Sequence, residues 1–216
     1  MVTGARASIT ERDLQVLRFA GEQYAVPMAV VGQLVDVGAE PLASGSVATV
    51  ARRAVGRLEQ LGYAGRRPLL GQQWLIPTRT GLRAAGLDYR AEVPAESLLR
   101  HVATVARLRL HLAGAYPDGE WESERSIRRQ WGDTRVRRVD GALWWPNEDA
   151  TGVEVERHLK KLPRYQGIVH DLDPNWNAGV WWFTPLELVP LLAARLREAG
   201  GGDFHQVYPL PEGVAL

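Results

Sequence analysis

The stretch Gly152-Val153-Glu154-Val155-Glu156 does most to limit what this chain can fold into. It is β-like and apolar, yet it carries two acids two residues apart. Side chains alternate across a strand, so Glu154 and Glu156 point to the same face. An earlier β-like run, Arg138-Val139-Asp140-Gly141-Ala142-Leu143, carries one acid. Paired as a hairpin, the two runs bring Asp140 near that face. Lys160 and Lys161 follow shortly after. Carboxylates converging beside lysines make the donor set of a Mg²⁺-dependent phosphodiester-cleaving site. The oxygens hold a hard cation, and a lysine steadies a phosphate or an attacking water.

Composition narrows the class. The 216 residues suffice for one large domain or two small ones. A hydrophobic content of 45% and a charged content of 24% are ordinary for a globular protein. No apolar run approaches the roughly 18 residues of a membrane helix, so no membrane partner is expected. Polar and charged residues interrupt the N-terminus, unlike a signal peptide. The absence of cysteine excludes disulfides, thiol catalysis and cysteine-bound zinc, and it fits a cytoplasmic protein. The net charge of +1 hides an asymmetry. Residues 1–90 hold 11 Arg against 7 acids, whereas residues 91–216 hold 15 basic and 18 acidic residues.

Residues 10–24 read as a first helix, with Thr10 as N-cap and Glu11 and Asp13 in the first turn. Leu14, Val16, Leu17 and Phe19 give it an apolar stripe. Residues 27–35 read as a second helix opened by Pro27, and residues 46–61 as a third. Two strands, 63–67 and 72–77, and a closing helix, 78–86, follow. Three helices and then a β-hairpin is the winged-helix order. Between residues 52 and 83 there are seven Arg and one acid. Arg52, Arg53 and Arg57 lie off the apolar stripe, and Arg66 and Arg67 fall in the expected wing. A basic helix beside a basic wing suits the phosphates of double-stranded DNA. The competing reading is a solvated arginine face on a module that makes a homodimer.

Residues 1–90 are thus expected as a winged-helix domain, joined by a linker at 89–95 to a second domain at 95–216. In the second domain a long helix, 97–116, precedes strands at 121–128, 135–145 and 152–157. A helix at 162–172, a strand at 179–183, a helix at 185–199 and a strand at 204–208 complete it. The order is α-β-β-β-α-β-α-β, within the α/β (α+β) class.

This order resembles the core of the PD-(D/E)xK nucleases, the restriction-endonuclease-like fold. Over residues 10–208 the chain resembles the replication-relaxation family of bacterial plasmids and mobile elements. That family pairs a winged helix with such a nuclease-like domain. The resemblance implies that Asp140 and Glu154 bind Mg²⁺ or Mn²⁺, with Glu124 as an extra ligand. It also implies metal-assisted nicking or cleavage of DNA in replication or plasmid topology. The motif's third position should be a lysine, but this chain has Glu156, which is expected in an active site to help with the metal or the water. Lys161-Leu162-Pro163-Arg164-Tyr165 has the spacing of a Gln-x-x-x-Tyr helix in some members, so Lys161 is expected to replace the missing lysine, with Lys160 as the alternative. Glu156 favours a rival reading: a non-catalytic DNA-binding regulator of replication or transcription with a degenerate nuclease fold. A third reading joins a dimerisation module to a protein-binding platform.

The five histidines have no metal-ligand spacing. Trp144, Trp145, Trp181 and Trp182 suit stacking on unpaired bases, although paired tryptophans on strands more often fill a core.

Overall fold

A computed structural model describes residues 8–36, 44–131, 139–172 and 176–214. The chain is mixed α/β and divides into two compact units, residues 1–106 and 107–216.

The first unit opens with α1 (Glu11–Glu22), held at its start by a reciprocal cap. Thr10 Oγ1 accepts from the Asp13 amide, and Asp13 Oδ2 accepts from the Thr10 amide. After β1 (Val26–Pro27) come α2 (Met28–Asp36) and α3 (Ser44–Gln60). The hairpin of β2 (Ala64–Leu69) and β3 (Gln72–Pro77) follows, and α4 (Arg79–Ala84) closes the segment. The sheet order is β1-β3-β2, antiparallel throughout. The hairpin turns through Leu70 and Gly71, both at positive φ (49° and 72°). Two left-handed residues in a row match the right-handed twist of the flanking strands. Gly81 is required for another reason: a Cβ there would lie 1.9 Å from the Tyr63 carbonyl oxygen. Val16, Leu17, Val30, Ala54, Leu58, Leu75 and Leu82 are all buried in this unit.

The long helix α5 (Glu96–Ala115) contributes to both units. Its first half places Leu99, Val102 and Ala103 in a cluster with Ala25, Trp74 and Ile76. The expected division at residues 89–95 therefore differs from the observed one, which falls inside the helix. The reason is the apolar face of residues 99–103, which is buried with the first unit.

The second unit takes the rest of α5, where Leu108 and Leu112 are buried. Its sheet runs β4 (Glu120–Ser123), β5 (Gly141–Trp144), β6 (Ala150–Val155), β7 (Val180–Thr184) and β8 (His205–Pro209) in that spatial order. The first three strands are antiparallel neighbours, and β6, β7 and β8 are parallel. Parallel neighbours need crossovers, supplied by α7 (Leu162–Leu172) and α8 (Val189–Glu198). Ile168, Leu172, Leu192 and Leu196 from these helices pack with Trp176, Val180 and Trp182. The strand expected at 121–128 is shorter than predicted. Ser123 Oγ accepts from the Ser126 amide and starts α6 (Glu124–Gln130), which buries Ile127. The strand expected at 135–145 begins among residues outside the described set, and β5 takes up only its second half.

One ion pair ties α1 to α3. Arg57 donates from Nε and Nη2 to the two oxygens of Asp13, at 2.9 and 2.7 Å. Asp13 is fully buried, and the Arg57 side chain keeps 33% of its surface in water. Burial pushes the Asp13 carboxyl up, but hydrogen bonds from Arg57 and Thr10 overcome this and hold it below its ordinary value. A depressed carboxyl stabilises the fold above its unfolded pKa, and that stability is lost as pH falls through the folded value. Arg57→Ala leaves the buried carboxylate with only its cap partners. It should cost about 2 kcal/mol in urea denaturation at neutral pH, less than a fully buried pair because Arg57 is partly solvated. A loss below about 0.5 kcal/mol, as for surface changes, would show that the pair does not hold α1 to α3.

Candidate functional site

The antiparallel register sets the site. Gly141 lies opposite Val153, so the next step places Asp140 across from Glu154. Likewise Ser123 lies opposite Gly141, where that ladder ends, and Glu124 follows as the first residue of α6. Of the three residues expected to bind metal, Glu154 lies in β6, Asp140 immediately precedes β5 and Glu124 immediately follows β4. Asp140 uses Oδ2 to accept from the Val155 amide at 2.8 Å, so its carboxylate caps the β6 ladder. Glu154 is 4% exposed. Glu124 occupies the first turn of α6. Among the described residues, no three His, Asp or Glu side chains form a group able to hold a metal ion.

Glu156 follows β6, and its amide donates to the Phe183 carbonyl, which extends the parallel ladder. It is 5% exposed. Two donors converge on its Oε2: the ammonium of Lys160 and the hydroxyl of Tyr165, the latter at 3.2 Å. The Tyr165 hydroxyl in turn accepts from the Lys160 amide at 3.1 Å. The loop 156–160 is therefore closed by one phenol and one ammonium. Burial pushes Tyr165 up to about 12, and the Glu156 carboxylate adds to the shift by favouring the protonated phenol that donates to it. Lys161, expected to supply the cation, is exposed just ahead of α7, and the contact with Glu156 is made by Lys160 instead. Lys160 keeps 35% of its side chain in solvent while its ammonium meets the buried acid.

Thr184 has a place here that the sequence does not announce. It ends the apolar run of β7 and is fully buried. Val155 pairs with Phe183, so the next step sets Thr184 beside Glu156, on the face that alternation gives to Trp182 and Glu154. Its hydroxyl has no hydrogen-bond partner. The signal available is a lone hydroxyl closing an otherwise apolar strand.

In the first unit the expected DNA-facing arginines divide. Arg52 and Arg53 are exposed on α3, and Arg52 Nε donates to the Ala48 carbonyl at 3.0 Å. Arg57 is committed to Asp13. On β2, Arg67 is exposed, whereas Arg66 pairs with Glu59 at 2.7 Å. That pair is largely solvated, so it costs little to open.

The tryptophans are mainly structural. Trp182 is fully buried and donates to His205 Nδ1 at 2.8 Å. Trp145 donates to Thr151 Oγ1, and its ring packs edge-on against Tyr116 and Trp181. Trp144 is the exposed one of the four, with its Nε1 bonded to Glu122.

A comparison with protein-family models matches none of them, and a comparison with curated protein sequences finds no match.

A raised tyrosine contributes stability below its unfolded pKa of about 10, and that contribution is lost as pH climbs through the folded value of about 12. Denaturant midpoints of the wild type should therefore fall between pH 10 and 12 by the equivalent of about 2–3 kcal/mol more than those of Tyr165→Phe. Parallel pH profiles for the two proteins would show that this hydroxyl is not held in the buried, hydrogen-bonded state.

Proposed function

We propose that the chain is a two-unit DNA-binding protein, with a winged helix in its first unit and a restriction-endonuclease-like domain in its second. Supporting the first assignment, α1, α2 and α3 precede the β2–β3 hairpin, and β1 completes a three-stranded sheet. Arg52, Arg53 and Arg67 are exposed on the third helix and the hairpin. Arg66 joins them when its solvated pair with Glu59 opens. These cations suit the phosphates of a duplex.

The observation that carries the second assignment is the Asp140 carboxylate held at the end of β6 by the Val155 amide, one residue after Glu154, with a lysine ammonium delivered to the neighbouring position 156. The donor set is hard oxygen at the ends of adjacent strands, which fits Mg²⁺ or Mn²⁺ held by one or two carboxylates and completed by water and phosphate oxygens. Asp140 and Glu154 would hold the ion, with Glu124 at the margin. When bound, the ion supplies Lewis-acid stabilisation of a phosphodiester under attack. The chain's own part is electrostatic: Lys160 offsets charge on the phosphate, and Tyr165 fixes the loop that carries it. The resemblance to the replication-relaxation family supports a role in replication or plasmid topology on a mobile element. A cytoplasmic setting fits that role, and among the described residues no helix is long and apolar enough to cross a membrane.

One observation favours the rival reading of a non-catalytic DNA-binding regulator. The acid at position 156 already occupies the lysine ammonium. Supercoiled plasmid incubated with the full chain and Mn²⁺ separates the two. Nicking should appear and should fall on the order of 10²-fold in Glu154→Ala and in Lys160→Ala, as when one electrostatic stabiliser is removed. Lys161→Ala should leave it intact. No nicking by wild type, with duplex binding retained, would replace the catalytic reading with the regulatory one.

A further inference from the structure

We propose that Lys160, Tyr165 and Thr184 form a seat for one phosphate group, and that Glu156 keeps this seat filled with its own carboxylate. Two hydrogen-bond donors of different elements meet at a single acid oxygen: Lys160 Nζ from the loop and Tyr165 Oη from α7. An ammonium and a hydroxyl converging on one oxyanion are what a phosphate oxygen requires. The second observation is independent of these contacts. Thr184 is fully buried beside Glu156, and its hydroxyl has no partner. A buried hydroxyl left unsatisfied is unfavourable, so it marks a place where a polar group belongs. A carboxylate offers two oxygens in a plane, whereas the oxygens of a phosphate are set tetrahedrally and reach donors outside one plane. Of the seat's members, Lys160 alone is partly exposed, with 35% of its side chain in solvent.

The resident carboxylate is covalently tethered, so it competes with any free anion at high effective concentration. It also repels a second anion. Wild-type protein should therefore bind phosphate weakly, and removing the charge at position 156 should reveal the seat. The seat itself stands on the contacts above; that DNA supplies the phosphate rests on the proposed DNA-binding function.

The test titrates inorganic phosphate into the full-length chain and follows binding by calorimetry and by ³¹P linewidth. Glu156→Ala vacates the seat. Glu156→Gln removes the charge but leaves Tyr165 an acceptor, so it protects against a folding defect in the alanine variant. At least one of the two should bind phosphate ten-fold or more tightly than wild type, and adding Lys160→Ala to that variant should return it to the wild-type value. A second arm repeats the comparison with a short DNA duplex. A matching gain there identifies the source as a backbone phosphodiester; a gain with inorganic phosphate alone identifies a free phosphate, leaving the seat in place while removing its link to DNA. Three results would overturn the proposal: phosphate affinity equal in wild type and both variants, a gain that survives removal of Lys160, or failure of both variants to fold. The last would show that the carboxylate is a structural partner and not an occupant.

Discussion

The pairing of β5 with β6 is the constraint on which the second unit depends. Its register sets Asp140 opposite Glu154 and lets the Asp140 carboxylate accept from the Val155 amide. That bond substitutes a side chain for a main-chain acceptor at the point where the ladder would otherwise end. From there β6 runs on in parallel with β7, which carries Glu156 to the side of Thr184. A one-residue slip would send both acids of the 154–156 pair to the opposite face. The acids and the fold are therefore specified together.

Both units bury a carboxylate and answer it with a cation. In the first, Asp13 sits at zero exposure and is met by the fork of Arg57. In the second, Glu156 is met by Lys160 and by the Tyr165 hydroxyl. The geometries differ in what they leave open. Arginine engages both oxygens of Asp13 and completes the pair. Lysine and tyrosine share one oxygen of Glu156, and the lysine side chain remains partly in solvent. The first arrangement suits a structural clasp, and the second suits a contact that can be exchanged.

Much of the fold is legible in local signals. Thr10 with Asp13 announces α1, and the residues around Gly71 announce the hairpin. The helix at 162–172 is found in those bounds, and the one expected at 185–199 is found as α8, Val189–Glu198, after a 3-10 turn at Leu186–Leu188. What escapes depends on distant partners. Arg57 looks like a surface cation until Asp13, 44 residues earlier, is found beneath it. Glu122-Ser123-Glu124 looks like strand, but Ser123 caps a helix because Ile127 has a core to enter. A Pro- and Glu-bearing stretch suggests a break between units at 89–95, yet α5 buries Leu99, Val102 and Ala103 with the first unit, and the break falls inside the helix. Helical spacing to Tyr165 points to Lys161 over Lys160. The chain at 156–161 is a loop, and loop geometry turns Lys160 inward. Thr184 carries almost no signal, since its meaning comes only from the neighbour across the parallel pair.

The central claim is that this is a duplex-binding protein, and the salt dependence of its DNA affinity tests that claim most directly. Fluorescence anisotropy with the full chain, from about 50 to 200 mM salt, should show log affinity falling linearly with log salt. Replacing Arg52, Arg53 and Arg67 together with alanine should flatten the slope by about three units, one for each phosphate no longer neutralised. Arg57→Ala should leave the slope of the folded protein unchanged, because that side chain serves Asp13. No binding to duplex DNA at the low-salt end, or a slope indifferent to the triple replacement, would contradict the account.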